Sequence, residues 1–162
     1  MLWWMIGFAL AANPWKDKDT DIRVEAVVPV APEVVTEAFS DFTTLERLFD
    51  VQCLKRWTHG SPSAGLGARS RVVYTPGLMN RRLDVVVAEL EPGRKVLLDH
   101  LGNRGFFTKI TAVAEEGGTR VVVSTPINAP PWPFRKLYHL DVKPEWSDCY
   151  LKALKRLGEA SP

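Results

Sequence analysis

Between Ile22 and Phe49 the chain changes character twice, and that change limits the fold more than any other feature. Ile22, Val24, Ala26 and Val28 alternate with Arg23 and Glu25, the two-residue period of a half-buried strand. Pro29 and Pro32 then end the ladder. Pro32 suits the first turn of a helix, where the N–H that proline lacks would have had no partner. Val34, Val35, Ala38 and Phe39 form an apolar helical face, with Glu33 and Glu37 off it. Ser40 or Asp41 can cap a second short helix, in which Phe42, Leu45, Leu48 and Phe49 recur at helical spacing.

Beyond Phe49 the chain reads as strands joined by short turns. The expected spans are Val51–Trp57, Ala68–Tyr74, Arg82–Leu90, Lys95–Leu101, Phe106–Val113 and Thr119–Thr125. Gly65-Leu-Gly67, Pro76-Gly77, Glu91-Pro-Gly93 and Gly117-Gly118 mark the turns between them, and Gly93 suits the positive φ of a type II turn. With the first strand this makes seven. Charged residues assign the faces: with Asp84, Lys95, Asp99, Lys109 and Arg120 outward, the inward set is Leu83, Val85, Val87, Val96, Leu98, His100, Phe106, Thr108, Ile110, Ala112, Val121 and Val123. The facing of the strands near Val51 and Ala68 is open, and a slip of one residue would invert any assignment. After the proline-rich stretch 129–134, a helix is expected to about Leu157, kinked or divided at Pro144 and ended by Gly158. Trp146, Cys149, Tyr150, Ala153, Leu154 and Leu157 give it an apolar stripe, the partner that the inward face of the sheet requires.

Size and charge bound the function. A chain of 162 residues with no repeat or linker is one domain's worth, and 21 basic against 19 acidic residues argue against a dedicated nucleic-acid binder, which usually carries a concentrated basic surface. Residues 1–20 form a separate apolar N-terminal segment and residues 21–162 the domain. The run Met1–Ala12 is too short to cross a bilayer as a helix, which takes about 20 residues. It reads as an atypical export signal, an interfacial anchor with Trp3 and Trp4 at the headgroups, or a helix packed on the domain. The compartment is therefore open between cytoplasm, membrane surface and export. Cys53 and Cys149 lie in no CxxC motif; buried free thiols are the plain expectation, with a disulfide possible.

Val30-Ala-Pro-Glu-Val34 with Phe39-Ser-Asp41, the Gly65-Leu-Gly67 step, Glu89-Leu-Glu-Pro-Gly93 and Gly117-Gly-Thr-Arg120 together resemble the START-like and polyketide cyclase/dehydrase (SRPBCC) superfamily. The resemblance spans about Asp21 to Leu157 and rests on corners and turns rather than on chemistry. It departs from the family pattern at Arg47-Leu-Phe49, where a tryptophan often stands, and at Pro144. It implies an α+β helix-grip fold: a curved seven-stranded antiparallel sheet around a long C-terminal helix, with two short helices after the first strand. It also implies a cavity for a lipid, sterol or polyketide-like molecule.

The candidate ligand-binding residues are Val85, Leu98, His100, Phe106, Thr108, Ile110, Val121, Val123, Trp146 and Tyr150. His100 stands out on an apolar face as a candidate proton handler or ligand hydrogen-bonder, against the plainer reading of a histidine bonded to the backbone at a strand end. Arg69 and Arg71 are expected to face outward, because an unpaired buried charge is too costly. Tyr74 and Trp57 are candidates for stacking on a flat ligand. Asp99 and His100 are adjacent on a strand and so cannot form a dyad. His59 and His139 lack metal-ligand spacing, and no nucleophile elbow, zinc-protease, P-loop or dinucleotide motif occurs. The leading expectation is a non-catalytic binder of a small apolar ligand that needs no cofactor or metal. The alternatives are a cyclase/dehydratase-type enzyme and a membrane-associated interaction module.

Overall fold

The computed structural model describes residues 21–74, 81–101, 107–126 and 133–160. Residues 1–20, 75–80, 102–106, 127–132 and 161–162 lie outside the described residues, and Phe106 with them. The elements, in order, are β1 (Ile22–Val28), α1 (Pro32–Ser40), α2 (Phe42–Leu48), β2 (Leu54–His59), β3 (Arg69–Tyr74), β4 (Arg81–Glu91), β5 (Lys95–Leu101), β6 (Phe107–Glu115), β7 (Gly118–Thr125), α3 (Phe134–Leu137) and α4 (Lys143–Ala160).

All seven strands form one antiparallel sheet in the order β1-β7-β6-β5-β4-β3-β2. Every hairpin joins neighbours from β2 to β7, while β1 crosses to the far edge and pairs along β7 from Ile22↔Thr125 to Val28↔Thr119. This is the α+β helix-grip arrangement. The alternation of charge assigns the faces correctly: Val85, Leu98, His100, Thr108, Ile110, Val121 and Val123 are each at most 8% exposed. Arg69 and Arg71 are exposed, and Arg71 pairs with Asp84 across the β3–β4 ladder at 2.6 Å.

The corner after β1 forms as its prolines require. Pro32 opens α1, and the Thr119 hydroxyl donates to the Val30 carbonyl at 2.6 Å, tying the corner to the start of β7. Asp41 caps α2, accepting from the Thr43 N–H at 2.9 Å and the Thr44 hydroxyl at 2.7 Å. Its partial burial disfavours the charged form, but these hydrogen bonds outweigh that and hold its carboxyl below the usual aspartate value. Gly93 takes a φ of 72° in the β4–β5 turn, and its N–H donates to the Thr36 hydroxyl on α1 at 2.8 Å.

Four expectations are corrected. The second strand is Leu54–His59 rather than Val51–Trp57: the Asp50 carbonyl accepts from the Cys53 and Leu54 N–H groups, so residues 51–53 turn, and Val51 is 72% exposed. The C-terminal helix is neither simply kinked nor divided at Pro144. A π turn, Tyr138–Val142, joins α3 to α4, and the Lys143 N–H reaches five residues back to the Tyr138 carbonyl. That wider turn precedes the proline, which has no N–H to continue an ordinary ladder. Gly158 does not end α4, which runs to Ala160. A Cβ there would sit 3.0 Å from Pro29 Cδ and 3.2 Å from Val28 Cγ1, so the glycine serves close approach of α4 to the corner after β1. Finally, Cys53 and Cys149 are not free thiols. They form a disulfide across 96 residues of sequence, fastening α4 to the turn before β2.

α4 lies across the concave side against β1 and α2, with Trp146, Cys149, Tyr150, Ala153, Leu154 and Leu157 buried, the stripe expected from the sequence. Arg156 on α4 donates to the Leu48 carbonyl at 3.0 Å, which satisfies one of the carbonyls left over at the end of α2.

Candidate functional site

The strand ends Tyr74, Arg81, Leu101, Phe107 and Thr125 gather at one end of the sheet by their register. Near that end the sheet, α1, α2 and α4 enclose a cavity of about 50 Å3. One wall is helical: Phe39 of α1, Phe42 and Leu45 of α2, and Phe49 just after it. The sheet contributes Leu54 and Trp57 of β2, Val72 of β3 and Leu83 and Val85 of β4. Leu98 and His100 of β5 and Thr108 of β6 continue that wall, and Trp146 and Tyr150 of α4 close the space. No side chain in this lining carries a formal charge at neutral pH.

Of the ten residues proposed from the sequence, the structure brings six to the cavity: Val85, Leu98, His100, Thr108, Trp146 and Tyr150. Ile110, Val121 and Val123 are fully buried but do not line the cavity. Phe106 is outside the described residues. Sequence reasoning misses the helical wall, because Phe39, Phe42, Leu45 and Phe49 carry the ordinary apolar spacing of any packed helix. It offers Trp57 only as a stacking candidate, for a reason that lies in the geometry of β2.

Leu54 and Trp57 are three residues apart, so a regular strand would put them on opposite faces. The β2–β3 register slips between Lys55 and Thr58, a bulge at which Arg56 adopts a φ of 56°. A bulge re-aims the residues beyond it. Here it brings Trp57 to the side of Leu54, and the exposed Arg56 stays out. The indole ring is flanked by Phe42, with centroids 6.5 Å apart, and by His59 at 5.9 Å. Its Nε1 is buried and has no hydrogen-bond partner among the described residues.

A line of rings crosses the α4 side of the site. Tyr74 packs on Trp146 at 5.5 Å, Trp146 stacks on Tyr150 at 5.8 Å, and Phe49 meets Tyr150 edge-on at 5.6 Å. Beneath them is one polar cluster. Thr108 Oγ1 lies 3.1 Å from His100 Nε2, 2.9 Å from Thr125 Oγ1 and 3.4 Å from the Tyr150 hydroxyl. Burial lowers the His100 pKa to about 4, since the apolar surroundings disfavour the imidazolium. Burial also pushes the Tyr150 phenol up, against the smaller opposing effect of its hydrogen bonds to Thr108 and Thr125. Both groups are therefore neutral at pH 7. They can orient a ligand by hydrogen bonding, and neither is poised to exchange a proton near neutrality.

Residues 19–159 match a family model described as polyketide cyclase / dehydrase and lipid transport. No protein of curated function matches the sequence. Among solved structures, the solution structure of the KanY protein superposes with a TM-score of 0.72 at 13% identity, covering 86% of this chain and 94% of that one. TTHA0849 from Thermus thermophilus superposes with a TM-score of 0.64 at 19% identity, covering 88% and 99%. DynU16, from the dynemicin biosynthetic locus, superposes with a TM-score of 0.57 at 21% identity, covering 88% of this chain and 49% of that one. At these identities the structural likeness establishes the fold alone.

Proposed function

The chain belongs to the polyketide cyclase/dehydrase and lipid-transport family, and from that premise we propose that it binds a small apolar molecule between the sheet and α4. The observation that carries this reading is the lining: a continuous apolar and aromatic wall with one small polar cluster and no charge. Such a surface gains affinity by burying apolar area and uses its few polar groups to set orientation. Small-molecule sites usually measure about 300–1,000 Å3. The 50 Å3 cavity is smaller than that, so a ligand of ordinary size would have to part α4 from the sheet or turn the Trp146 and Tyr150 side chains as it enters.

Native mass spectrometry of the full chain tests this directly, before and after exposure to a mixed lipid extract, with extraction and identification of any adduct. A discrete adduct of lipid, sterol or polyketide-like mass is expected. A chain that stays free of adduct after exposure would overturn the reading and leave a filled core in its place.

Cyclase or dehydratase chemistry draws less support. The sequence offers His100 with a tyrosine or an arginine as proton handlers, yet His100 is held neutral and Arg69 and Arg71 face solvent.

A membrane-contact role draws support from one further observation. Phe134, Leu137 and Leu140 are 58%, 45% and 63% exposed, with Arg135 and Lys136 exposed between them. Apolar residues interleaved with cations on a surface helical turn suit the interface of an anionic bilayer. Replacing Phe134 and Leu137 with Asp is expected to reduce co-sedimentation with phosphatidylcholine/phosphatidylglycerol vesicles by about tenfold or more. Equal sedimentation of both proteins would sink this second role.

A further inference from the structure

We propose that the indole N–H of Trp57 is the hydrogen-bond donor that orients the ligand, and that the ligand is an uncharged apolar molecule carrying an oxygen acceptor such as a ketone. This rests on the cavity-binding reading above and narrows it to a residue and a ligand class.

Three features of β2 converge on Trp57. A bulge, with Arg56 in the left-handed region, turns Trp57 to the cavity side, where a regular strand would have turned it away. Left-handed backbone is unfavourable for an arginine, so the surrounding fold must hold it there. The indole then packs against the rings of Phe42 and His59. Its Nε1 nevertheless ends buried without an acceptor among the described residues. Buried donors in folded proteins are almost always satisfied, and exceptions call for an explanation. A ligand atom supplies it.

The chemistry of the lining fixes what that atom is. Indole Nε1–H donates only, so its partner must be an acceptor. A carboxylate would accept as well, but no cation in the lining would offset the cost of burying it. A neutral carbonyl, or another uncharged oxygen, meets both conditions. The polar cluster on the other wall is already engaged internally, with Thr108 bonded to His100, Thr125 and Tyr150. Trp57 Nε1 is a donor that a ligand can claim without breaking an existing bond.

The test uses the full chain and two probes of nearly the same shape: 2-acetylnaphthalene and 2-isopropenylnaphthalene, in which a methylene group replaces the carbonyl oxygen. Calorimetry is run on the wild type and on Trp57→Phe. The acetyl compound is expected to bind the variant about tenfold more weakly, while the isopropenyl compound binds both proteins alike. In nitrogen-resolved NMR spectra, the Trp57 indole proton is identified by its proximity to Phe42. It is expected to move downfield with the acetyl compound and not with its hydrocarbon counterpart, a readout that stands whether or not the variant folds. Equal weakening for both probes, or a stationary indole signal while the acetyl compound binds, overturns the Trp57 assignment and leaves cavity binding intact. Failure of both probes to bind the wild type overturns cavity binding itself, and the assignment with it.

Discussion

Opening the Cys53–Cys149 disulfide is expected to cost the fold about 4 kcal/mol, more than a typical single substitution. The bridge closes a span of 96 residues, and long spans take the most conformational freedom from the unfolded chain. It also lies beside the candidate site. Cys53 precedes Leu54, and Cys149 precedes Tyr150, so the bridge joins neighbours of two cavity-lining residues on opposite walls. Urea unfolding with and without a phosphine reductant measures the effect, and the Cys53→Ser, Cys149→Ser double variant separates loss of the bond from other effects of the reductant. A midpoint unmoved by either treatment would mean that the bridge contributes nothing to stability.

Stability is also expected to fall by about 3 kcal/mol as pH drops from about 6.5 to 4, because of His100 alone. Burial holds its folded-state pKa at about 4, against 6.5 for an exposed imidazole. Across that window the unfolded chain binds a proton at this residue and the folded chain does not. The contribution is therefore complete above pH 6.5 and is lost progressively as the pH falls toward 4. His100→Gln keeps a polar group within reach of Thr108 and removes the titration. Chemical denaturation at half-unit pH steps should show a flatter profile for the variant between these limits. Parallel profiles would rule out a neutral buried His100. The carboxylates of Asp50, Asp84 and Glu91 have pKa values lowered by their hydrogen bonds and ion pairs, so they act mainly below this window.

These two effects depend on very different amounts of sequence information. Lys95 and Asp99 alone place His100 inward, because alternation along one strand is a local property. The same holds for the turn at Gly93 and for the stripe on α4. The disulfide is not legible, since nothing local brings Cys53 near Cys149 until the whole sheet has curled. Trp57 is hidden for a third reason. Parity predicts facing only while a strand is regular, and the residue that breaks the parity of β2, Arg56, is an ordinary surface arginine in a left-handed conformation that its side chain does not announce. The cavity's size is out of reach as well, because it depends on how closely Trp146, Tyr150 and Phe49 meet, which is a matter of ångströms rather than residue types.

The position of β1 at the far edge of the sheet sets an order of events during synthesis. β1 leaves the ribosome before the other described strands, yet the backbone groups it bonds to belong to residues 119–125, about a hundred residues later. At ordinary synthesis rates that is a wait of about 5–20 s. The hairpins from β2 to β7 can form one after another in that interval, each beside the last. Of the described strands, the first made is thus the last to be placed. Until β7 arrives, Ile22, Val24 and Val28 have no sheet to cover them.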